Sequence, residues 1–513
     1  MSETGDRSVN RERVIAMLDL LGVSPTHERM QQVFAIRDIP MKRIGWIGFD
    51  MDYTLAIYRR EELDRLVHGL ALERLVTVHG YPAEILEIPF LPGFAIRGLC
   101  VDKTTGHLLK LNAHRQIKKA WHGLRPLEQS EIDLYWREVL RLDSRRFMRL
   151  DTLFDLPEAY IICALIDWFE SRALPCDFRK ICDDTRAAVD LAHQDNSIKA
   201  AVLADKERYL IPDPQLAATL RSLRNRGRRK LFLVTNSNFA YTDGLMSWLV
   251  GAEQDWTSFF DLVVAAASKP RFFREPLPAR RLNRAGETID PVTTRFEHKG
   301  LYEGGNVEMI EQFFGDTMLE TLYMGDHIYG DILASKRARG WRTVMIVPEL
   351  DEELDRNSQA PSRYADWDRL DRELDLLNDE IAFVTDARES LDESLEQEGE
   401  RAVAEPLRQQ VHALHDELLD QSQRLKESRR RLIQRIHVLQ SQVDQKFHPH
   451  WGSVFVEGND RTLFGDSIEE HADLYTSRVS NFLEYSTEHY FRAARVAPPH
   501  TNDAKPNRPN PQD

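Results

Sequence analysis

Cysteine is scarce in this chain: four in 513 residues, Cys100, Cys163, Cys176 and Cys182. That excludes a disulfide scaffold. The nearest pair, Cys176 and Cys182, has no matching Cys or His pair at zinc-site spacing. Long hydrophobic runs are missing too. No stretch of about 18 uncharged apolar residues occurs, so no membrane-crossing helix is expected. The first twenty residues mix both charges without an apolar signal core, and export is not expected. A reducing cytoplasm is the simplest compartment. Basic residues are outnumbered, 68 against 83 acidic, giving a net charge of −15. A field of that sign opposes polyanions, so neither nucleic acid nor a membrane surface is expected as a partner.

What is present is enough apolar material for a large core, 42% of the chain, in a length that predicts roughly three units. Residues 1–40 read as an N-terminal helical segment ending at Pro40. A short buried strand follows, Ile44 to Phe49. Similar runs recur at 230–234, 260–264, 321–324 and 344–347, separated by helical stretches at 214–226, 241–250, 306–314 and 328–339. Strand–helix alternation of this kind predicts a Rossmann-like parallel α/β sheet covered on both faces. We assign this core to 41–62 and 205–350. The stretch 63–204 breaks the alternation, with strands around 95–112 and helices at 157–172 and 183–193, and reads as an inserted α+β cap domain.

After about 365 the pattern changes again. Leu370, Leu374, Leu377, Ile381, Val384, Leu391 and Leu395 keep a heptad spacing. A second series follows: Leu407, Val411, Leu414, Leu418, Leu425, Leu432, Ile436, Leu439 and Val443. Between them lies a Gly399/Pro406 break, which predicts a long antiparallel coiled-coil hairpin over 366–445. Each arm would reach about 45–60 Å at about 1.5 Å per residue. Residues 446–497 read as a C-terminal segment that packs back on the core, and 498–513 as a disordered tail.

The chemistry concentrates at strand ends. The first strand runs into Asp50-Met51-Asp52-Tyr53-Thr54, two carboxylates placed to point into the crevice where open α/β sheets bind ligands. The second ends in Thr235-Asn236-Ser237, small groups suited to phosphate oxygens. The third is followed by Lys269, and the fourth by Gly325-Asp326-His327-Ile328-Tyr329-Gly330-Asp331. Four carboxylates sharing one crevice would repel one another. A Mg²⁺ ion, bound through carboxylates and phosphate oxygens, removes that cost, and the lysine adds positive charge.

This set, in this order, resembles the haloacid dehalogenase superfamily of phosphotransferases. The resemblance implies Asp50 as nucleophile and Asp52 as general acid and base. It implies Thr235 and Lys269 as holders of the phosphoryl group, and Mg²⁺ on Asp50, Asp326 and the Asp52 carbonyl, with Asp331 orienting those ligands. The flanking blocks FDMDYTLAIY, GYPAEIL, LFDLPEAY, VTNSNFAYTD, SKPRFF, YEGGN, YMGDHIYGDILASKRARGWRTVMIVPEL and HADLY are similar to the cytosolic purine 5′-nucleotidases that prefer IMP and GMP, and to their bacterial relatives. That likeness spans about 40–350 and 447–500. It implies a purine nucleoside monophosphate substrate bound by Phe154, Arg186, Asp190, His193 and Lys199 of the cap, with Asn236 and Ser237 at the phosphate. It also implies a homo-oligomer and an ability to pass the phosphoryl group to a nucleoside.

The chain departs from that pattern in four places. Asp155 and Asp151 stand where the relatives have Asn, Arg337 where they have Lys, and Tyr329 where they have Phe, so nucleotide activation is not carried over. Two other readings stay open: a phosphatase of another small phosphorylated metabolite, and a scaffold that binds a protein partner through the hairpin.

Overall fold

The computed structural model describes residues 32–136, 140–251, 253–315, 319–358, 361–398 and 405–494. The 498–513 tail, the Gly399 break and most of the 1–40 segment lie outside these residues. The chain forms two compact units. One comprises residues up to Pro92, Leu150–Pro348 and Asp466 onward; the other comprises Gly93–Arg149 and Glu349–Gly465. Of the 63–204 stretch, residues 93–149 therefore group with the hairpin and the remainder with the parallel sheet.

The first unit is built on ten strands: β1 (Val33–Ala35), β2 (Ile44–Phe49), β3 (Lys230–Val234), β4 (Leu262–Ala265), β5 (Ala279–Leu282), β6 (Thr288–Thr293), β7 (Gly300–Gly304), β8 (Glu320–Gly325), β9 (Arg342–Ile346) and β10 (Leu474–Thr476). Their order across the sheet is β1-β10-β9-β8-β2-β3-β4-β7-β5-β6. From β10 to β7 every pairing is parallel, and only the two ends are antiparallel. The fold is thus mixed α/β with a largely parallel sheet, as the alternation predicts. Residues 33–40, read as the end of a helical segment, instead form β1 and a two-residue strand, Ile39–Pro40. Such short strands carry no local period, and β1 exists because Leu474–Thr476 pairs with it from far along the chain.

β2 is buried along its whole length and lies between β3 and β8. Gly48 makes that possible, because a β-carbon there would run into the rings of Phe232 and Tyr323. Those rings pack with Trp46 and Trp341 in a buried aromatic layer. The chain leaves β2 towards β3 on one side and returns through β8 on the other. The strand order reverses there, which is where open α/β sheets form a ligand crevice at their carboxyl ends. Among the helices of this unit that bear on the site are α1 (Arg60–Thr77), α2 (Leu156–Glu170) and α3 (Phe178–Gln194). The Asp177 side chain caps α3 by accepting from the Lys180 N–H at 3.0 Å.

The second unit carries a five-stranded antiparallel sheet and a helix pair, α4 (Pro361–Glu398) and α5 (Glu405–Phe447). Six residues join helices of 38 and 43, so the packed pair is antiparallel. Leu370, Ile381 and Val384 of α4 and Leu432 and Val443 of α5 are buried in the seam. Leu414, read as a seam residue, is 45% exposed. The register places His415 inward instead, its Nε2 3.0 Å from Asp392 of the opposite helix, and Ser422 is buried one heptad on. No helix among the described residues is long and apolar enough to cross a membrane.

Candidate active site

Asp50 follows β2 directly, and its N–H extends the ladder to the Met324 carbonyl at 2.8 Å. The chain then turns through Tyr53, whose φ of 53° is left-handed. The Asp50 side chain accepts from the Met51 N–H at 2.7 Å and lies 2.8 Å from Lys269 Nζ. The same ammonium donates to Asp331 at 2.6 Å and to the Tyr323 hydroxyl at 3.2 Å. Lys269 is itself placed by Asn236: its N–H donates to the Asn236 oxygen at 2.6 Å, and the Asn236 amide donates back to its carbonyl at 3.1 Å. Asp331 lies against the end of β8 because residue 325 is glycine; a β-carbon there would overlap its carboxyl group.

Asp50, Asp326 and Asp331 are all buried, and each offers a carboxylate oxygen within 4.8 Å of the others. Burial pushes the Asp50 carboxyl up to about 6, with Lys269 opposing and Asp331 adding to the rise. Burial works against the Lys269 charge, but Asp331 and Asp50 outweigh it and hold the ammonium above its ordinary value. Three carboxylates against one ammonium leave two negative charges. That residue is the complement of a dication, and the all-oxygen donor set suits a hard ion of the Mg²⁺ class. The residues fit such a metal.

Asp52 lies outside this cluster and has different partners. One of its carboxylate oxygens accepts from the Tyr58 hydroxyl at 2.5 Å, the other from Ser237 at 2.8 Å. Burial raises its carboxyl, Asp50 adds to the effect, and the two hydroxyl donors and Lys199 oppose it. Thr235 is fully buried behind the wall, where its hydroxyl accepts from the Ser237 N–H at 3.1 Å.

A cavity of about 430 Å³ opens over these groups. Its lining joins Asp50, Asp52, Asn236, Ser237, Lys269, Asp326 and Asp331 to Phe154, Arg186, Asp190, His193 and Lys199. Of the residues expected at the site, only Thr235 is not in that lining. The Phe154 ring meets Tyr53 edge-on at 4.8 Å between centroids and His193 at 5.6 Å. Arg186, Asp190 and His193 share one face of α3 through their +4 and +3 spacing. Burial lowers the His193 imidazole, keeping it neutral at pH 7. Arg186 is tied to Asp155 at 3.0 Å and to Glu158 at 2.9 Å. Asp155, at an expected-Asn position, thus faces a guanidinium. Burial raises its carboxyl, and Arg186 counters that rise.

Among the lining residues not foreseen as site residues are Tyr58, Tyr241, Arg274 and His327. His327 lay in plain view beside Asp326. Its Nδ1 accepts from the Tyr329 and Gly330 N–H groups at 3.1 and 2.7 Å, and so shapes the turn that carries Asp331.

Carboxylates at the ends of β2 and β8 and a lysine after β4 thus meet at one cavity on a largely parallel α/β sheet, the arrangement that the likeness to the haloacid dehalogenase superfamily leads one to expect. The chain belongs to the 5′ nucleotidase family, whose model matches residues 33–503. It is similar to a 5′-nucleotidase domain-containing protein of Dictyostelium discoideum, with 29% identity over 466 residues, 89% of this chain and 72% of that relative. Membership implies phosphomonoesterase activity and a nucleotide substrate.

Proposed function

We propose that this protein is a Mg²⁺-dependent 5′-nucleotidase that hydrolyses purine nucleoside 5′-monophosphates through an aspartyl-phosphate. The observation that carries the reading is one cavity with two unlike walls. The Lys269-balanced carboxylates lie on one side, and the Phe154, Asp190, His193 and Lys199 group lies on the other. At about 430 Å³ it falls within the size range of small-molecule sites.

Asp50 and Asp326, with the Asp52 carbonyl, would hold Mg²⁺, and Asp331 would orient them. When bound, the ion supplies charge neutralisation at the transferring phosphoryl group. Asp50 attacks phosphorus, forming a carboxyl O–P bond as the O5′–P bond breaks, and Asp52 gives its proton to O5′. Water then attacks the aspartyl-phosphate, Asp52 takes its proton, and phosphate leaves. Lys269 holds positive charge beside the nucleophile throughout, fixed there by Asn236. Phe154 offers a ring to the base, while neutral His193, Asp190 and Lys199 present donors and acceptors to its edge.

Phosphate release across nucleoside monophosphates, with Mg²⁺ and with chelator, tests the reading. IMP and GMP should lead CMP and UMP, chelator should abolish turnover, and Asp50→Asn should lower kcat by about 10³-fold or more. Equal rates for purine and pyrimidine substrates would sink the base assignment, and a fully active Asp50→Asn would sink the covalent mechanism.

A further inference from the structure

Asp50 and Asp52 are held by different kinds of donor. Asp50 receives a backbone N–H and an ammonium, groups that only donate. Its oxygens are fixed as acceptors, which suits a nucleophile that must stay ionised. Asp52 receives only hydroxyls, Tyr58 on one oxygen and Ser237 on the other. A hydroxyl can donate or accept, so it can satisfy a carboxylate or a carboxylic acid by turning its O–H bond.

Behind Tyr58 stands a third hydroxyl. Tyr241 lies 2.9 Å away, oxygen to oxygen, in a buried contact. Tyr58 has one proton; when it is given to Asp52, the Tyr241 hydroxyl must be the donor to Tyr58. When Asp52 carries a proton towards Tyr58, the chain reverses and Tyr58 donates to Tyr241. Both arrangements use the same heavy-atom positions. The Tyr58 ring in turn packs against Tyr53 and Phe154, at centroid distances of 5.0 and 6.0 Å, which helps to fix the ring that aims the hydroxyl.

We infer that Tyr58, backed by Tyr241, is a positioning residue that lets Asp52 hold the leaving-group proton and then recover one from water. The inference rests on the acid–base assignment of Asp52 made above. In the first step the Asp50–P bond forms, the O5′–P bond breaks and the Asp52 proton moves to O5′. In the second, water forms its bond to phosphorus, the Asp50–P bond breaks and the water proton returns to Asp52. At each stage the Tyr58 and Tyr241 hydroxyls reverse direction without moving off their sites.

A nucleoside alkoxide must be protonated as it leaves, whereas p-nitrophenolate leaves without a proton. Single-turnover rates for IMP and p-nitrophenyl phosphate in full-length wild type and Tyr58→Phe, both with Mg²⁺, therefore separate the roles. Tyr58→Phe should slow IMP cleavage by about 10–100-fold, within the range of acid–base assistance. The loss in the p-nitrophenolate burst should be at least about tenfold smaller. Tyr241→Phe should move the same ratio in the same direction by a smaller factor, and it serves as the test if Tyr58→Phe does not fold. Equal fractional losses on both substrates would make Tyr58 merely structural and overturn the inference, as would an undiminished rate on IMP. If wild type cleaves ribose 5-phosphate but no nucleotide, the nucleotide assignment fails alone, and the ratio is read with ribose 5-phosphate in place of IMP.

Discussion

Two aspartates separated by one residue occupy unlike environments, and partner chemistry separates them more than burial does. Asp50 is answered by Lys269, Asp52 by hydroxyls. The carboxylates and the lysine were legible in the sequence because each follows a short apolar strand, where a charged side chain is out of place unless it faces a crevice. Tyr58 and Tyr241 were not, because a tyrosine within an apolar run reads as core and their contact spans 183 positions. Another buried aspartate allows a test away from the reacting groups. Asp64 on α1 is pushed up from 3.8 to about 6 by burial, against the pull of Arg60. The folded chain therefore holds that proton more tightly than the unfolded chain. Below about 3.8 both states are protonated and nothing is lost; the cost grows as pH rises and is complete above about 6. Asp64→Asn should stabilise the protein at pH 7 by about 1–3 kcal/mol, and the gain should vanish as pH falls from 6 towards 4. Denaturation of both proteins across that range reads it, and parallel stability curves would refute it.

Elements were legible where their period was long or their ends were punctuated. β2, β3 and β8 each lead from an apolar run into a polar loop, whereas α3 starts at Phe178, after its cap Asp177 and ahead of the 183–193 stretch read as helix. The antiparallel edge β5–β6 carries Arg, Asp and Pro in place of an apolar run, and only pairing with β7 makes it sheet. In α5 the heptad itself was visible, but an exposed leucine beside a polar seam position drew the reading one residue off. Leu414 is 45% exposed, whereas Val384, on the opposite helix, is 1% exposed. Leu414→Gln should therefore change hairpin stability by less than about 0.5 kcal/mol, while Val384→Ala should cost about 1–2 kcal/mol. Thermal loss of helical circular dichroism in the full chain measures both. A larger effect at Leu414 than at Val384 would return the seam to the register through Leu414.

At the scale of the whole molecule, the question is which part of the chain the chemistry needs. Every residue lining the cavity belongs to the unit built on the ten-stranded sheet: strand ends supply the carboxylates and Lys269, and α3 and its neighbours supply the facing wall. Among the described residues, none from the α4–α5 pair lines it. Some of the hairpin's acidic and basic residues form i,i+4 pairs on solvated surface, such as Arg431 with Glu427 and Arg424 with Asp420. Such pairs contribute little to stability but keep a long projection soluble. The net charge of −15 is thus compatible with a phosphorylated substrate, because the cavity holds its own cations, Lys269, Arg186 and Lys199. Shortening the hairpin should therefore leave the chemistry intact. Replacing residues 385–421 with a short Gly-Ser turn keeps the buried residues Leu370, Ile381, Val384, Leu432 and Val443. In that variant kcat for IMP should stay within about twofold of wild type, since no group that touches substrate is removed. A loss of tenfold or more at unchanged thermal stability would show that the distal hairpin acts on catalysis, and would move the hairpin from a separable module into the working parts of the enzyme.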